Sequence, residues 1–296
     1  MKSSRNHQGR CKETVKAYLD CYPCFFSQTL KTARMITSEE RKVWEILVAV
    51  SLALPRISFD ATPPEIGREI YKIISEKTGV GDPYRRIKEK CTKQALALYP
   101  EMKKLLESSQ DRLMTALRVA IAGNIIDFGA QAAFDLKKDI TKILSQDFAL
   151  DHSREFRQAL QNARRILYLA DNAGETVFDR ILIEEMKKPV VYVVREKPVI
   201  NDAVRKDALD ARIDKVAEIV SSGTDAPGTI LPFCSGKFLK FFRSADLIIS
   251  KGQGNYEGLS EERGPLFFLL KAKCQIIAKD IGVEEGDIIL MRAKKF

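Results

Sequence analysis

Ile166-Leu167-Tyr168-Leu169-Ala170-Asp171-Asn172-Ala173-Gly174-Glu175 decides the fold. Its apolar run is too short for a helix and has no polar face, which describes a strand covered on both sides. An acid, an amide and a glycine turn follow at once, and helix-forming sequence begins at Glu175 or Thr176. The same alternation continues downstream. Val190–Val194, Ile219-Val220, Leu247-Ile248-Ile249, Gln275-Ile276-Ile277 and Ile288-Ile289-Leu290 read as strands. Residues 176–187, 203–212, 235–242 and 260–271 read as helices between them. Strands alternating with helices predict a Rossmann-like α/β/α domain around a mostly parallel sheet.

Upstream the period changes. Residues 11 to about 155 read as helices, with no strand expected before Ile166. Trp44, Leu47, Val48, Ser51 and Leu52 mark an apolar helical face. Thr62-Pro63-Pro64-Glu65 opens another helix, with Ile66, Ile70, Ile73 and Ile74 on one side. Residues 84–107 read as a helix broken near Pro100, and 112–126 as a strongly apolar one. The expected fold class is therefore α/β, with an all-helical domain (1–155) packed on the Rossmann-like domain (156–296).

A chain of 296 residues has ample length for such a core. Its 45% hydrophobic and 30% charged residues are those of a soluble globular protein. No apolar run has membrane-spanning length, and Met1-Lys2-Ser3-Ser4-Arg5 lacks a secretory pattern, so a cytoplasmic protein without a membrane partner is expected. The net charge of +9 comes from dispersed lysines and arginines with no zinc-finger, RNP or helix-turn-helix signature. That argues against a nucleic-acid partner and is compatible with small anions. The cysteines (Cys11, Cys21, Cys24, Cys91, Cys234 and Cys274) are too sparse for a disulfide scaffold. Cys21-Tyr22-Pro23-Cys24 admits packing, metal or redox roles; Cys11, Cys91 or His7 would have to complete a zinc site.

In a parallel sheet the loops after the strands share one edge, where open α/β folds bind ligands. Asp171 and Asn172 put hard oxygen donors there, or serve merely as a helix N-cap. Asp202 follows the next strand. Two acids on neighbouring strands repel unless a cation lies between them. Ser222-Gly223-Thr224 is either an anion nest or an ordinary turn. In Lys251-Gly252-Gln253-Gly254-Asn255 the glycines allow close approach and Lys251 suits a phosphoryl oxygen. Asn124 and Asp127 interrupt an apolar helix, as a terminating turn or as a roof over the sheet edge. Four of the six asparagines (Asn124, Asn172, Asn201 and Asn255) fall in these segments, which points to work for their amides. With only His7 and His152, a Ser-His-Asp triad lacks parts. Asp171-Asn172-Ala173-Gly174 also lacks the second acid of an aspartyl-phosphate phosphatase, which favours water over Asp171 as nucleophile.

Taken in order, these motifs with Tyr256-Glu257 and the Cys21–Cys24 pair resemble the damage-control phosphatase family (domain of unknown function 89), in its archaeal-type subgroup with an N-terminal CxxC. The resemblance implies a metal-dependent phosphatase acting on small phosphorylated metabolites, either sugar phosphates or damaged phosphometabolites. It implies Asp171, Asn172 and Asp202 as ligands of a divalent ion (Mg, Mn, Co or Ni). Lys251 completes the catalytic set and, with Asn124, contacts substrate or phosphate. Asp127, Glu175 and Asn255 are implied neighbours. Ser222, Gly223, Thr224 and Gly252 complete the expected phosphate end. Competing readings are an adenosylmethionine-dependent carboxyl methyltransferase, for which no glycine-rich loop follows the first strand, and a non-catalytic phosphometabolite-binding protein.

Overall fold

Five helices lead the chain: α1 (Cys21–Ile36), α2 (Glu40–Ala53), α3 (Pro63–Thr78), α4 (Arg85–Ser108) and α5 (Arg112–Ala122). The structure is a computed structural model that describes residues 15–125 and 142–293. Cys11, His7 and Asp127, singled out above, lie outside the described residues. α3 starts on a capping box, in which Thr62 accepts from the Glu65 amide and the Glu65 carboxylate accepts from the Thr62 amide. Gly79, at φ 70°, closes it.

Two expectations for the helices need correcting. α4 runs through Pro100 without a break. Cys91, Ala95, Met102 and Leu106 are buried on both sides of the proline, and that burial outweighs its cost of about 3 kcal/mol. On α2 the buried stripe is Val43, Ile46 and Val50, whereas Trp44 and Leu52 are 63% and 64% exposed. Both stripes have helical period, and periodicity alone does not say which one faces the core.

After α5 come β1 (Phe148–Asp151), α6 (Ser153–Asn162), β2 (Ile166–Leu169), α7 (Thr176–Met186), β3 (Val190–Val194), α8 (Arg205–Asp210) and β4 (Glu218–Ser221). The chain ends with α9 (Gly236–Ser244), β5 (Leu247–Lys251), α10 (Gly252–Leu259), β6 (Leu266–Lys271), α11 (Gln275–Ile281) and β7 (Ile288–Arg292). The seven-stranded sheet has the order β1-β7-β6-β5-β2-β3-β4. It is parallel except between β6 and β7. The mostly parallel α/β architecture is thus as expected, with three local corrections. Residues 266–271 are strand β6 rather than helix, 275–281 are helix α11 rather than strand, and β1 precedes Ile166. The first two are short apolar runs that periodicity cannot arbitrate; pairing of Leu266–Lys271 with both β5 and β7 settles them. β1 is a four-residue edge strand, too short to stand out from the sequence around it.

From β2 the chain builds outward through β3 and β4, then returns to lay β5 on the other side of β2. The carboxyl ends of β2 and β5 therefore flank the switch point of the sheet, where a crevice opens. Tyr168, Tyr192, Ile249 and Phe267 pack on one face in a core shared with α4, α5 and α7. Leu169, Val193, Ile248 and Phe268 pack on the other, over α9, α10 and α11. Helices α1 to α3 hold a separate, smaller core around Ile46, Val50, Ile66 and Ile70.

Candidate functional site

Backbone pairing continues past the strand ends and assembles the site. The Ala203 amide donates to the Asp171 carbonyl (2.8 Å) and the Ala173 amide to the Asn201 carbonyl (2.8 Å), and Asn172 bridges Asp202. The loops after β2 and β3 are thereby bound together, with Asp171, Asn172 and Asp202 side by side. The junction of β5 with α10 closes in from the other flank. Gly252, at φ 77°, lies so close that a Cβ there would overlap the Asp171 carboxylate. This position demands glycine on both counts.

Two amides clamp two carboxylates. Asn172 Nδ2 donates to Asp171 Oδ2 (3.1 Å) and Glu175 Oε1 (2.6 Å). Asn124 Nδ2, from the single turn Gly123–Ile125 after α5, donates to Asp171 Oδ2 (3.0 Å) and also to Glu175 Oε1. Ionised carboxylates only accept, so both amides must turn their nitrogens toward them. Among the described residues the buried Asn124 Oδ1 has no hydrogen-bond partner.

Lys251 anchors this clamp from below. Its Nζ donates to Glu175 Oε2 (2.9 Å), Asp179 Oδ1 (2.7 Å) and the Ala120 carbonyl (2.9 Å), which uses all three ammonium protons. Asp179 in turn accepts from the hydroxyls of the stacked pair Tyr168 and Tyr192, each at 2.7 Å. On the far side Arg195 Nε donates to Asp202 Oδ2 (2.8 Å). The guanidinium also reaches Thr229 (3.2 Å) and Asn255 Oδ1 (2.9 Å). Asn255 Nδ2 returns to the carbonyls of Ala170 (2.9 Å) and Lys251 (2.7 Å), tying the loop after β2 and the junction of β5 with α10 to Arg195.

A cavity of about 680 Å³ lies between α1, α3 and the sheet edge. Asp171, Asn172 and Asp202 line it, as do Gln253, Glu257 and Lys273. Asn124, Glu175, Lys251 and Asn255 are buried behind that wall. Ser222, Gly223 and Thr224 are placed elsewhere. The amides of Gly223, Thr224 and Ala226 donate to the hydroxyls of Ser221, Ser222 and Thr224, and Gly223 packs against Ser235. The donors of that turn are used within it rather than directed at the acids. Lys251 likewise faces its carboxylates rather than the cavity.

Charge is unevenly shared. Asp171, Glu175, Asp179 and Asp202 are buried carboxylates, and the buried cations bonded to them are Lys251 and Arg195. Burial raises Asp171 well above the usual carboxylate range; Glu175 and Asp202 raise it further, against the pull of Lys273 and Arg195. Glu175 is raised by burial, which Lys251 opposes. For Lys251, burial acts downward, but Asp179 and Glu175 more than reverse it and hold the ammonium above its ordinary range. Arg195 pairs with Asp202 and Lys251 is shared by Glu175 and Asp179, while the Asn124 and Asn172 amides hold Asp171 at the cavity wall.

This donor set fits a hard divalent cation. Two carboxylates and an amide face the cavity, and Gly252 leaves room for close approach. Among the described residues no three His, Cys, Asp or Glu side chains form a metal cage by themselves. Such a cation would therefore complete its shell with water and substrate oxygens, the usual habit of Mg²⁺. The sequence reading missed Arg195, Asp179, Thr229 and Lys273. The signals for the first two were an arginine directly at a strand end and a lone acid inside the apolar Val177-Phe178-Asp179 segment.

Comparison with known proteins adds independent findings. Residues 17–289 match the family model described as the damage-control phosphatase ARMT1-like domain. A damage-control phosphatase of Pyrococcus horikoshii is 33% identical, over 95% of this chain and 99% of its own length. One from Archaeoglobus fulgidus is 32% identical, over 91% and 96%. An uncharacterised protein of Methanocaldococcus jannaschii is 38% identical, over 95% and 96%. The crystal structure of a DUF89-family protein from P. horikoshii superposes with a TM-score of 0.88 at 32% identity, covering 95% of this chain and 100% of that one.

Proposed function

Because the chain belongs to the damage-control phosphatase ARMT1-like family, we propose that it is a metal-dependent phosphatase that hydrolyses small phosphorylated metabolites, sugar phosphates or damaged phosphometabolites, in the cavity at the switch point of its sheet. The observation that carries this reading is that buried Asp171, Asn172 and Asp202 come together on the wall of one cavity, held there by Asn124 and Arg195. Asp171, Asn172 and Asp202 would hold Mg²⁺, Mn²⁺, Co²⁺ or Ni²⁺. When bound, such an ion supplies Lewis-acid polarisation of a phosphoryl oxygen and a nucleophile from water near neutral pH.

The chain's own residues orient and compensate. Asn124 and Asn172 fix the Asp171 carboxylate, and Arg195 fixes that of Asp202. Lys251 pairs with both Glu175 and Asp179 behind them. Lys31 and Lys273 line the same cavity, which draws a phosphate in and offsets charge that develops on it. We take the helical part (1–155), apart from edge strand β1 that joins the sheet, and the α/β part (156–296) as two domains with the substrate between them.

The test is hydrolysis of an aryl phosphate, then of a metabolite panel, with several divalent ions. Chelator treatment and, separately, Asp171→Ala should each abolish turnover, and re-added metal should restore the wild type. Turnover that survives either change contradicts the proposal.

A further inference from the structure

Glu257 is a buried carboxylate on the cavity wall that none of the interactions above employs. It sits on α10 one turn after Gln253. The Gln253 amide has a forced orientation, because its Oε1 accepts from the Lys273 backbone amide (3.2 Å). Nε2 therefore faces Glu257 and donates to its Oε1 (2.9 Å). Among the described residues this is the only hydrogen bond to the Glu257 side chain that the structure shows. Gly252 touches Asp171, and Glu257 lies five residues further along the same helix, a rise of roughly 7 Å. One helix thus spans the distance between the metal-type acids and a second carboxylate on the same cavity.

We propose that Glu257 is the general acid of this site, delivering a proton to the ester oxygen as it leaves phosphorus. The inference rests on the phosphatase reading above. Burial raises this carboxyl to about 7, with only Gln253 opposing, so a protonated form is available near neutrality. The groups that interact with it are the Cys21 and Cys24 thiols from α1 and Gln253 on its own helix, and Cys274 and Lys273 from the loop after β6 line the same cavity. In the step, a water oxygen bonds to phosphorus while the bond from phosphorus to the ester oxygen breaks, its electron pair staying on the leaving oxygen. Glu257 gives that oxygen its proton. The attacking water leaves one proton on the phosphate product, and its other proton restores Glu257 through solvent.

Leaving-group chemistry separates this role from a structural one. A nitrophenolate leaves without protonation, whereas an alkoxide does not. Wild type and Glu257→Gln are compared, with divalent metal, on 4-nitrophenyl phosphate and on the best alkyl phosphate from a panel of glycerol, pentose and hexose phosphates. The expected result is a loss of roughly 10² in kcat on the alkyl ester with the aryl ester within about twofold. Retained aryl activity also certifies the fold. Equal losses on both esters, or no loss on either, overturns the role of Glu257. If the wild type hydrolyses neither ester with any metal, the phosphatase reading itself has failed.

Discussion

Lys251 shows why a residue's type is a poor guide to its job. A lysine in a glycine-rich loop suggests a phosphate contact, yet its three protons go to Glu175, Asp179 and a backbone carbonyl. Its partners are 76 and 72 residues away in the chain, a separation no local motif encodes. Lys251→Met should therefore cost about 3–5 kcal/mol, since it strands two buried carboxylates; a urea midpoint shift checks this. Glu257 makes a second prediction at this scale. Its folded pKa of about 7 lies above the ordinary 4.5, so the folded state holds the proton more tightly than the unfolded chain. The sign follows: the carboxyl costs nothing below its unfolded pKa and destabilises increasingly as pH rises through the folded value. Relative to Glu257→Gln, the wild type should lose about 3 kcal/mol between pH 4.5 and pH 7. Parallel unfolding curves of the two proteins across that range measure the difference, and a constant gap contradicts it. By contrast, Asp171, Asn172 and Asp202 could be singled out together from the sequence, because each lies in a loop that follows a strand and the edge of a parallel sheet gathers such loops.

The elements divide along similar lines. β2, β3, β4, β5 and β7 could be read because each is a short apolar run closed by a turn. β6 and α11 exchanged identities in the sequence reading because both are short apolar segments, and only pairing with β5 and β7 distinguishes them. α2 showed its outward stripe more clearly than its buried one. Arg195 escaped notice because its value lies in joining elements: it links Asp202 after β3, Thr229, and Asn255 on α10. At this scale the contact of the loop after β2 with the junction of β5 and α10 is the critical one. Gly252→Ala introduces both a left-handed φ penalty and an overlap with Asp171. It should cost about 1–3 kcal/mol and displace the carboxylate, lowering metal affinity more than stability alone would explain. Metal titration beside thermal unfolding of the variant tests that; unchanged affinity would refute it.

Across the whole molecule, the site is a junction. Loops after three strands, the turn after α5 and the N-terminus of α10 converge at the switch point, and α1 and α3 close the cavity above them. The helical segment and the sheet thus contribute different sides of one chamber, carboxylates below and a thiol- and lysine-bearing wall above. We propose that Asp171, Asn172 and Asp202 at the chamber floor hold a divalent cation. Calorimetric titration of chelator-stripped protein with Mn²⁺ tests it most directly, using wild type beside the isosteric Asp171→Asn and Asp202→Asn variants, each shown folded by its unfolding curve. One site per chain is expected in the wild type, and its loss in both variants. A wild type that binds no ion, or variants that bind as tightly as the wild type, would contradict it.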